Sequence, residues 1–408
     1  MAAIVRTAML CAALAGALNF PLCARAIAAE PPISASPAAD LARERIETMW
    51  QSGAQEAWFS DSFLAAVPFT KLNPIVDERK ELLGRYLSTT GANGVYVSTF
   101  EKGTETVKIH LDGNAKIDGL LLETPKLADV SLDGALKRLE QLTGISSYVL
   151  TEGRSRRAGY NDATPLAVGS AFKLAVLAAL RDRVTRGELH WDQVFPLDPR
   201  WKSLPSGVLQ SWPDRTPISL ATYASEMISI SDNTAADAAA SIAGDAALAP
   251  YVSRNVPLLR TRELFILRAP GNAALLEKWI DGTPAQRRAL RAKLAGMPTP
   301  GAGALQSTPG DLRAEWLFST GELCNLMSRV ADLPYMTINP GIAEPADFRR
   351  IAFKGGSEPG VLSMVTSVVT HSGRTECLAA TVNDPARDVD LNAFAAAYSA
   401  VLRSLALR

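Results

Sequence analysis

Histidine and cysteine are scarce in this chain, and neither sign of charge is in excess. Of its 408 residues, three are histidine and four are cysteine. His110, His190 and His371 lie far apart, and none accompanies a Gly-x-Ser-x-Gly stretch, so a Ser-His-Asp triad is a poor reading. No His/Cys cluster stands at zinc-ligand spacing, and no metal is expected. Lys plus Arg equals Asp plus Glu, at 42 each, which gives no sign of a nucleic-acid or polyanionic partner. A glycine-rich phosphate loop is missing too, since Gly91-Ala92-Asn93-Gly94 reads as a turn. No cofactor is therefore expected. Beyond the N-terminal region no apolar run is long enough to span a membrane.

What is present suits a globular protein with a sizeable core. Apolar residues make up 47% and charged residues 21%. A prior of roughly 150 residues per domain predicts two or three domains. The first 28 residues have the form of a secretory signal: Arg6, then a mostly apolar run from Thr7 to Cys23, then small-x-small sites at Ala24-Arg25-Ala26 and Ala26-Ile27-Ala28. Asn19 and Pro21 interrupt the run, which argues against an uncleaved anchor. Residues 29–40, rich in Pro, Ala and Ser, read as a flexible leader. The mature protein is expected to be periplasmic or secreted, without a membrane partner. The signal removes Cys11 and Cys23. In an oxidising compartment Cys324 and Cys377 could pair; two separate buried thiols are the alternative, and the sequence leaves both open.

Residues 41–125 read as a small α+β domain. Leu41, Ile46, Met49 and Trp50 have helical spacing, an amphipathic piece runs from Ala54 to Val67, and Val76 to Leu87 reads as a helix. The period then becomes two, giving strands at 94–98, 105–109 and 116–121, with turns at Gly103 and Asp112-Gly113-Asn114. The pattern resembles the helix-plus-curved-sheet cone of the steroid-isomerase-like superfamily. No acid/base dyad stands out inside it, so an accessory role is expected. Thr124 to Val130 reads as the linker.

The second domain, 131–408, is organised around Gly169-Ser170-Ala171-Phe172-Lys173-Leu174. A Gly-Ser pair opens an apolar run to Leu180, which places Ser170 at a helix start. Lys173 lies one turn later on the same face. A neutral lysine amine can take the proton of a neighbouring hydroxyl, and burial or a second cation would favour the neutral form. By itself, Ser-x-x-Lys reads first as an N-cap serine with a surface lysine. Ser231-Asp232-Asn233 follows between the apolar helical runs 218–228 and 235–242. Lys354-Gly355-Gly356 follows at the end of a strand over 349–354, with a turn expected at Gly355-Gly356. Strands at 362–371 and 376–383 and a helix over 391–407 complete the chain.

These three ordered motifs resemble those of the penicillin-binding and class A β-lactamase serine hydrolases. The flank Ser231-Asp232-Asn233-Thr234-Ala235-Ala236 is very similar to class A enzymes. With its N-terminal cone, the whole chain resembles the two-domain esterase-like serine hydrolases associated with clavulanic acid biosynthesis. The resemblance implies an α+β multi-domain fold, a steroid-isomerase-like cone followed by a β-lactamase-like domain of antiparallel sheet, flanking helices and an all-helical lobe. It implies Ser170 as nucleophile, Lys173 as its base or a proton relay, Ser231 bridging Lys173 and Lys354 and passing a proton to the leaving group, and Lys354 lowering the lysine pKa and attracting a substrate carboxylate. Asn233 would orient Lys173 or hold a substrate amide. Gly356 and Ser357 would line the substrate strand, the N–H groups of Ser170 and Ser357 forming the oxyanion hole. Asp232 would fix the loop.

Two departures bear on turnover. Gly355 stands where the family carries Thr or Ser. The Glu-x-x-Leu-Asn loop that activates the deacylating water in class A enzymes has no counterpart. Glu263 is the nearest candidate for that base, with an arginine-paired loop brace as the competing reading. The expected activity is that of an exported serine acyl-hydrolase acting on a small β-lactam or ester. The alternatives are a slow-acylating or non-catalytic module that holds a β-lactam or peptidoglycan peptide, and a D-alanyl-D-alanine peptidase.

Overall fold

The computed structural model describes residues 37–128, 131–252, 254–301 and 309–407. The signal segment, most of the leader, and part of the linker and of the 297–303 stretch lie outside the described residues. The chain divides into two compact units, Met1–Asp129 and Val130–Arg408.

The first unit begins with α1 (Pro37–Ser52), α2 (Asp61–Ala66) and α3 (Leu72–Leu83). Helix α1 starts inside the expected leader, because Pro37 suits a first helical position. An antiparallel sheet follows, of β1 (Tyr86–Ala92), β2 (Val95–Phe100), β3 (Gly103–Leu111) and β4 (Ile117–Leu122) in that order, with β5 (Lys126–Leu127) on β3. Strand β1 was not foreseen, and the expected helix ran into it. It lies at the sheet edge and is mostly exposed, so it carries no apolar alternation. Ile46, Met49, Trp50, Val76, Tyr96, Phe100 and Val107 are buried in this unit's core.

The second unit opens with α4 (Leu132–Glu140), capped by Ser131, then β6 (Ile145–Glu152), β7 (Ser155–Tyr160) and β8 (Leu166–Ala167). A 3-10 turn, Gly169–Phe172, leads into α5 (Lys173–Thr185). Its helical lobe holds β9 (Val194–Pro196), β10 (Pro217–Ser219), α6 (Leu220–Ser229), α7 (Asn233–Ala243), α8 (Asp245–Val252), α9 (Thr261–Arg268), α10 (Ala273–Ile280) and α11 (Pro284–Leu294). The chain returns through β11 (Leu317–Phe318) and α12 (Thr320–Val330) to β12 (Arg350–Glu358), β13 (Val361–Val369), β14 (Thr375–Asn383) and α13 (Leu391–Ala406).

The main sheet is antiparallel throughout, in the order β12-β13-β14-β6-β7. One core packs the sheet against α4 and α13, through Leu136, Leu139, Phe394, Tyr398 and Val401. The other packs it against the helical lobe. There Leu174 to Leu180 of α5 are all buried, as expected of a helix that is apolar all round. Gly355 and Gly356 do not make the expected turn. They lie inside β12, paired with Met364 and Ser363, and the turn comes after Glu358 with Gly360 at φ 74°. Cys324 on α12 and Cys377 on β14 form a disulfide, with Cα atoms 6.0 Å apart.

Candidate active site

Ser170 sits in the 3-10 turn ahead of α5. The approach to it is fixed by β8, which pairs with β11, and by the Val168 N–H donating to Trp316 O at 3.1 Å. The Trp316 ring stacks on Phe172 with centroids 4.0 Å apart. Gly169 takes φ 48°, a left-handed conformation that a side chain would strain. A half-buried hydroxyl is thus held on a rigid turn.

One helical turn later, Lys173 is fully buried. Its Nζ lies 2.6 Å from Ser231 O, 2.7 Å from Asn233 Oδ1, and 3.1 Å from both Ser170 Oγ and Ser231 Oγ. Burial pulls the lysine pKa down to about 7, against the opposing pull of Asp232, Asp237 and Glu358. A neutral amine has two hydrogens and one lone pair. The carbonyl oxygens of Ser231 and Asn233 take the two hydrogens. The lone pair is left for a hydroxyl proton.

The Ser231-Asp232-Asn233 bend joins α6 to α7. Ser231 has φ 59°, a conformation that costs on the order of 1–3 kcal/mol and is held by what surrounds it. Much of that hold comes from Asp232. Its Oδ2 accepts from the N–H groups of Val208 at 2.6 Å and Leu209 at 2.9 Å, and its Oδ1 caps α7 through Ala235 N at 2.8 Å. The neighbouring loop residue has to be glycine: a Cβ on Gly207 would stand 2.1 Å from Asp232 Oδ2. Asn233 donates from Nδ2 to Leu204 O at 3.1 Å, which leaves its Oδ1 for Lys173.

Strand β12 supplies the third side. Lys354, nearly fully buried, donates from Nζ to Ser231 Oγ at 3.0 Å and to Gly355 O at 2.6 Å. Burial, and then the charge on Lys173, push its pKa well below the ordinary lysine value. Ser231 Oγ therefore lies between two amines. Gly356 crosses the Ser170 turn so closely that a Cβ there would be 2.0 Å from Val168 O and 2.8 Å from Ser170 N. A Cβ on Gly169 would be 3.1 Å from Ser357 N. The amides of Ser170 and Ser357 thus flank one crossing point. The side chain of Ser357 is exposed. At Gly355 a Cβ would meet the Phe353 ring at 3.1 Å, so that ring crowds the position.

Of the residues expected from the sequence, Ser170, Lys173, Ser231, Asn233, Lys354, Gly356 and Ser357 lie together here. Glu263 does not, and its reading as a deacylation base is corrected. Arg291 Nε donates to its two carboxylate oxygens at 3.0 and 2.9 Å, and the Arg260 N–H donates to it at 2.8 Å. It closes the first turn of α9 and is a brace. His110 pairs with Asp118 in the first unit, and His371 Nε2 faces Ala346 O.

Two carboxylates beside the site were missed. Glu358 shares a strand face with Lys354 and Gly356, and its Cγ lies 3.6 Å from where a Cβ on Gly169 would be. Glu315, fully buried, precedes the Trp316 that anchors the Ser170 approach. Counting β12 in twos from Lys354 would have found Glu358, had Gly355-Gly356 not been taken for a turn.

Residues 132–271, within the second unit, match the family model described as "Beta-lactamase enzyme family". The match covers about a third of the chain and includes the Ser170 and Ser231 motifs. No curated protein is similar to the chain in sequence. Among solved structures, the chain is similar to a β-lactamase from Sphaerobacter thermophilus DSM 20745 at 19% identity, covering 67% of this chain and 95% of that one, with a TM-score of 0.47. A β-lactamase from Chitinophaga pinensis DSM 2588 shares 16% identity over 67% and 97% of the two chains, with a TM-score of 0.46. PBP-A shares 16% over 68% and 95%, with a TM-score of 0.45.

Proposed function

We propose that this protein is an exported serine acyl-hydrolase that works through an acyl-enzyme on Ser170, with β-lactams or esters as its substrate class. One observation carries the reading: a buried, neutral-leaning Lys173 amine touches both Ser170 Oγ and Ser231 Oγ, while Lys354 touches Ser231 from the other side. The Lys173 lone pair accepts the Ser170 proton as Oγ attacks the substrate carbonyl carbon. The N–H groups of Ser170 and Ser357 face the oxygen that gains charge. Ser231 donates its proton to the departing nitrogen or oxygen and is reprotonated through Lys173, and the acyl–leaving-group bond breaks. Lys354 keeps an N–H donor beside the cleft, which suits a substrate carboxylate.

Export agrees with the signal-like first 28 residues and with the Cys324–Cys377 disulfide, which suits an oxidising compartment. The helix-and-sheet first unit is read as a steroid-isomerase-like accessory domain, and the whole chain as a relative of the two-domain esterase-like hydrolases. The engagement of Glu263 by Arg291 favours one second reading, a module that acylates and turns over slowly.

The test is hydrolysis of a p-nitrophenyl ester and of nitrocefin by the mature protein and by Ser170→Ala. Turnover of either that Ser170→Ala abolishes is expected. One equivalent of product followed by arrest would favour the slow module. Equal activity in both proteins would overturn the assignment.

A further inference from the structure

Release of an acyl group from Ser170 needs a base for the attacking water. The Lys173 lone pair faces the Ser170 and Ser231 hydroxyls and serves the acylation step, and Glu263 is locked to Arg291. We infer that Glu358, whose side chain packs against Gly169 of the nucleophile turn, is the base that activates the deacylating water. The inference rests on the Ser170 acyl-enzyme proposed above.

The geometry comes from three elements. On β12, Lys354, Gly356 and Glu358 share one face: the Lys354 side chain meets Ser231, the Gly356 backbone crosses the Ser170 turn, and the Glu358 side chain packs against Gly169. Glu358 is half-buried, and among the described residues of β12 it is the one carboxylate on the strand face shared with Lys354 and Gly356. Behind it, Glu315 is fully buried on the segment whose next residue stacks on Phe172 and bonds to Val168. Arg268 of α9 reaches Glu315 with Nη1 at 2.7 Å from Oε1. That contact is an ion pair, and among the described residues neither Glu315 carboxylate oxygen accepts a hydrogen bond. A buried carboxylate in that state repels the next negative charge, and the next charge is Glu358.

The charged groups that act on Glu358 are therefore Glu315 ahead of β11, Arg268 on α9 and Lys173 on α5. Burial and Glu315 push the Glu358 carboxyl up, above the ordinary range; Arg268 and Lys173 hold it from rising further. A carboxylate raised in this way is a stronger base near neutral pH than an exposed one. In the step, water oxygen bonds to the acyl carbon and one water proton passes to Glu358. The tetrahedral intermediate then collapses, the carbon–Oγ bond breaks, and Oγ recovers the proton. Serine and a free carboxylic acid result, with no further reactant.

The experiment separates acylation from deacylation by intact mass and stopped-flow with p-nitrophenyl acetate, in the whole mature protein, across pH. Glu358→Gln is expected to acylate at near the native rate and to deacylate roughly 10²-fold more slowly or worse, with the acetyl adduct accumulating. Glu315→Gln removes the like charge. The acid limb of its deacylation profile should move to lower pH, a displacement that a merely structural role would not produce. If Glu358→Gln has lost its thermal transition, Glu358→Asp takes its place; it should deacylate slowly with the acid limb retained.

Native deacylation in a folded Glu358→Gln, or in Glu358→Asp where that variant takes its place, would overturn the inference and leave Lys173 to serve both steps. So would an unmoved limb in Glu315→Gln. A folded Glu358→Gln that fails to acylate would overturn it as well. Absence of any adduct on the native protein is a different result: it removes the Ser170 acyl-enzyme, and the role of Glu358 goes with it.

Discussion

Lys173 is the residue on which the chemistry turns, and its environment sets a pH dependence. Its pKa is lowered to about 7, so the neutral amine that can accept a proton grows as pH rises through that value. The acylation rate should therefore climb between about pH 6 and 8 and level off above, in single-turnover measurements with an activated ester. Lys173→Arg, which stays charged, should show no such limb and lose at least about 10³-fold in acylation rate. Gly356 makes the second residue-scale prediction. A methyl group there would collide with Val168 O and Ser170 N, so Gly356→Ala should cost about 1–3 kcal/mol or more by thermal denaturation. It should also slow acylation by about 10²-fold, because the nucleophile turn has to move.

At the scale of elements, the disulfide is the clearest stability device. It ties α12 to β14 across 53 residues of chain. Constraining a loop of that length stabilises by about 2–4 kcal/mol, so the Cys324→Ala/Cys377→Ala pair should lose that much in urea unfolding. The sequence left the pairing open because spacing alone says nothing of two side chains brought together by a helix and a strand. The three motifs were legible because their chemistry demands fixed residue types over a few positions. Ser170 and Lys173 needed only helical spacing, and Ser231-Asp232-Asn233 only a polar break between apolar runs. Glu358 was not legible, since its neighbours come from α9 and the segment before β11. The glycines of β12 misled for a related reason: they are small to let the strand cross the Ser170 turn, and a turn signal looks the same in sequence. Glu263 had the right residue type but the wrong partners.

For the whole molecule, the main sheet of the second unit is built from both ends of its chain. Strands β6 and β7 come from its start and β12 to β14 from its end, and α4 packs with α13 over the outer face. Such long-range pairing leaves no local trace, which is why strands and helices could be placed from the sequence but their order in the sheet could not. It also has a consequence for truncation. Removing residues 391–408 would uncover Leu136, Leu139 and Tyr148 together with the outer face of the sheet. The shortened protein should lose its cooperative thermal transition and its reaction with esters, whereas a retained transition would show that α13 is dispensable.

The most direct test of the account is the mass of the mature protein after incubation with penicillin G, followed by peptide mapping. A single added penicilloyl mass, or one that appears and decays, located on the peptide that carries Ser170 and missing from Ser170→Ala, is the predicted result. An adduct on another residue, or one that persists in Ser170→Ala, would contradict it.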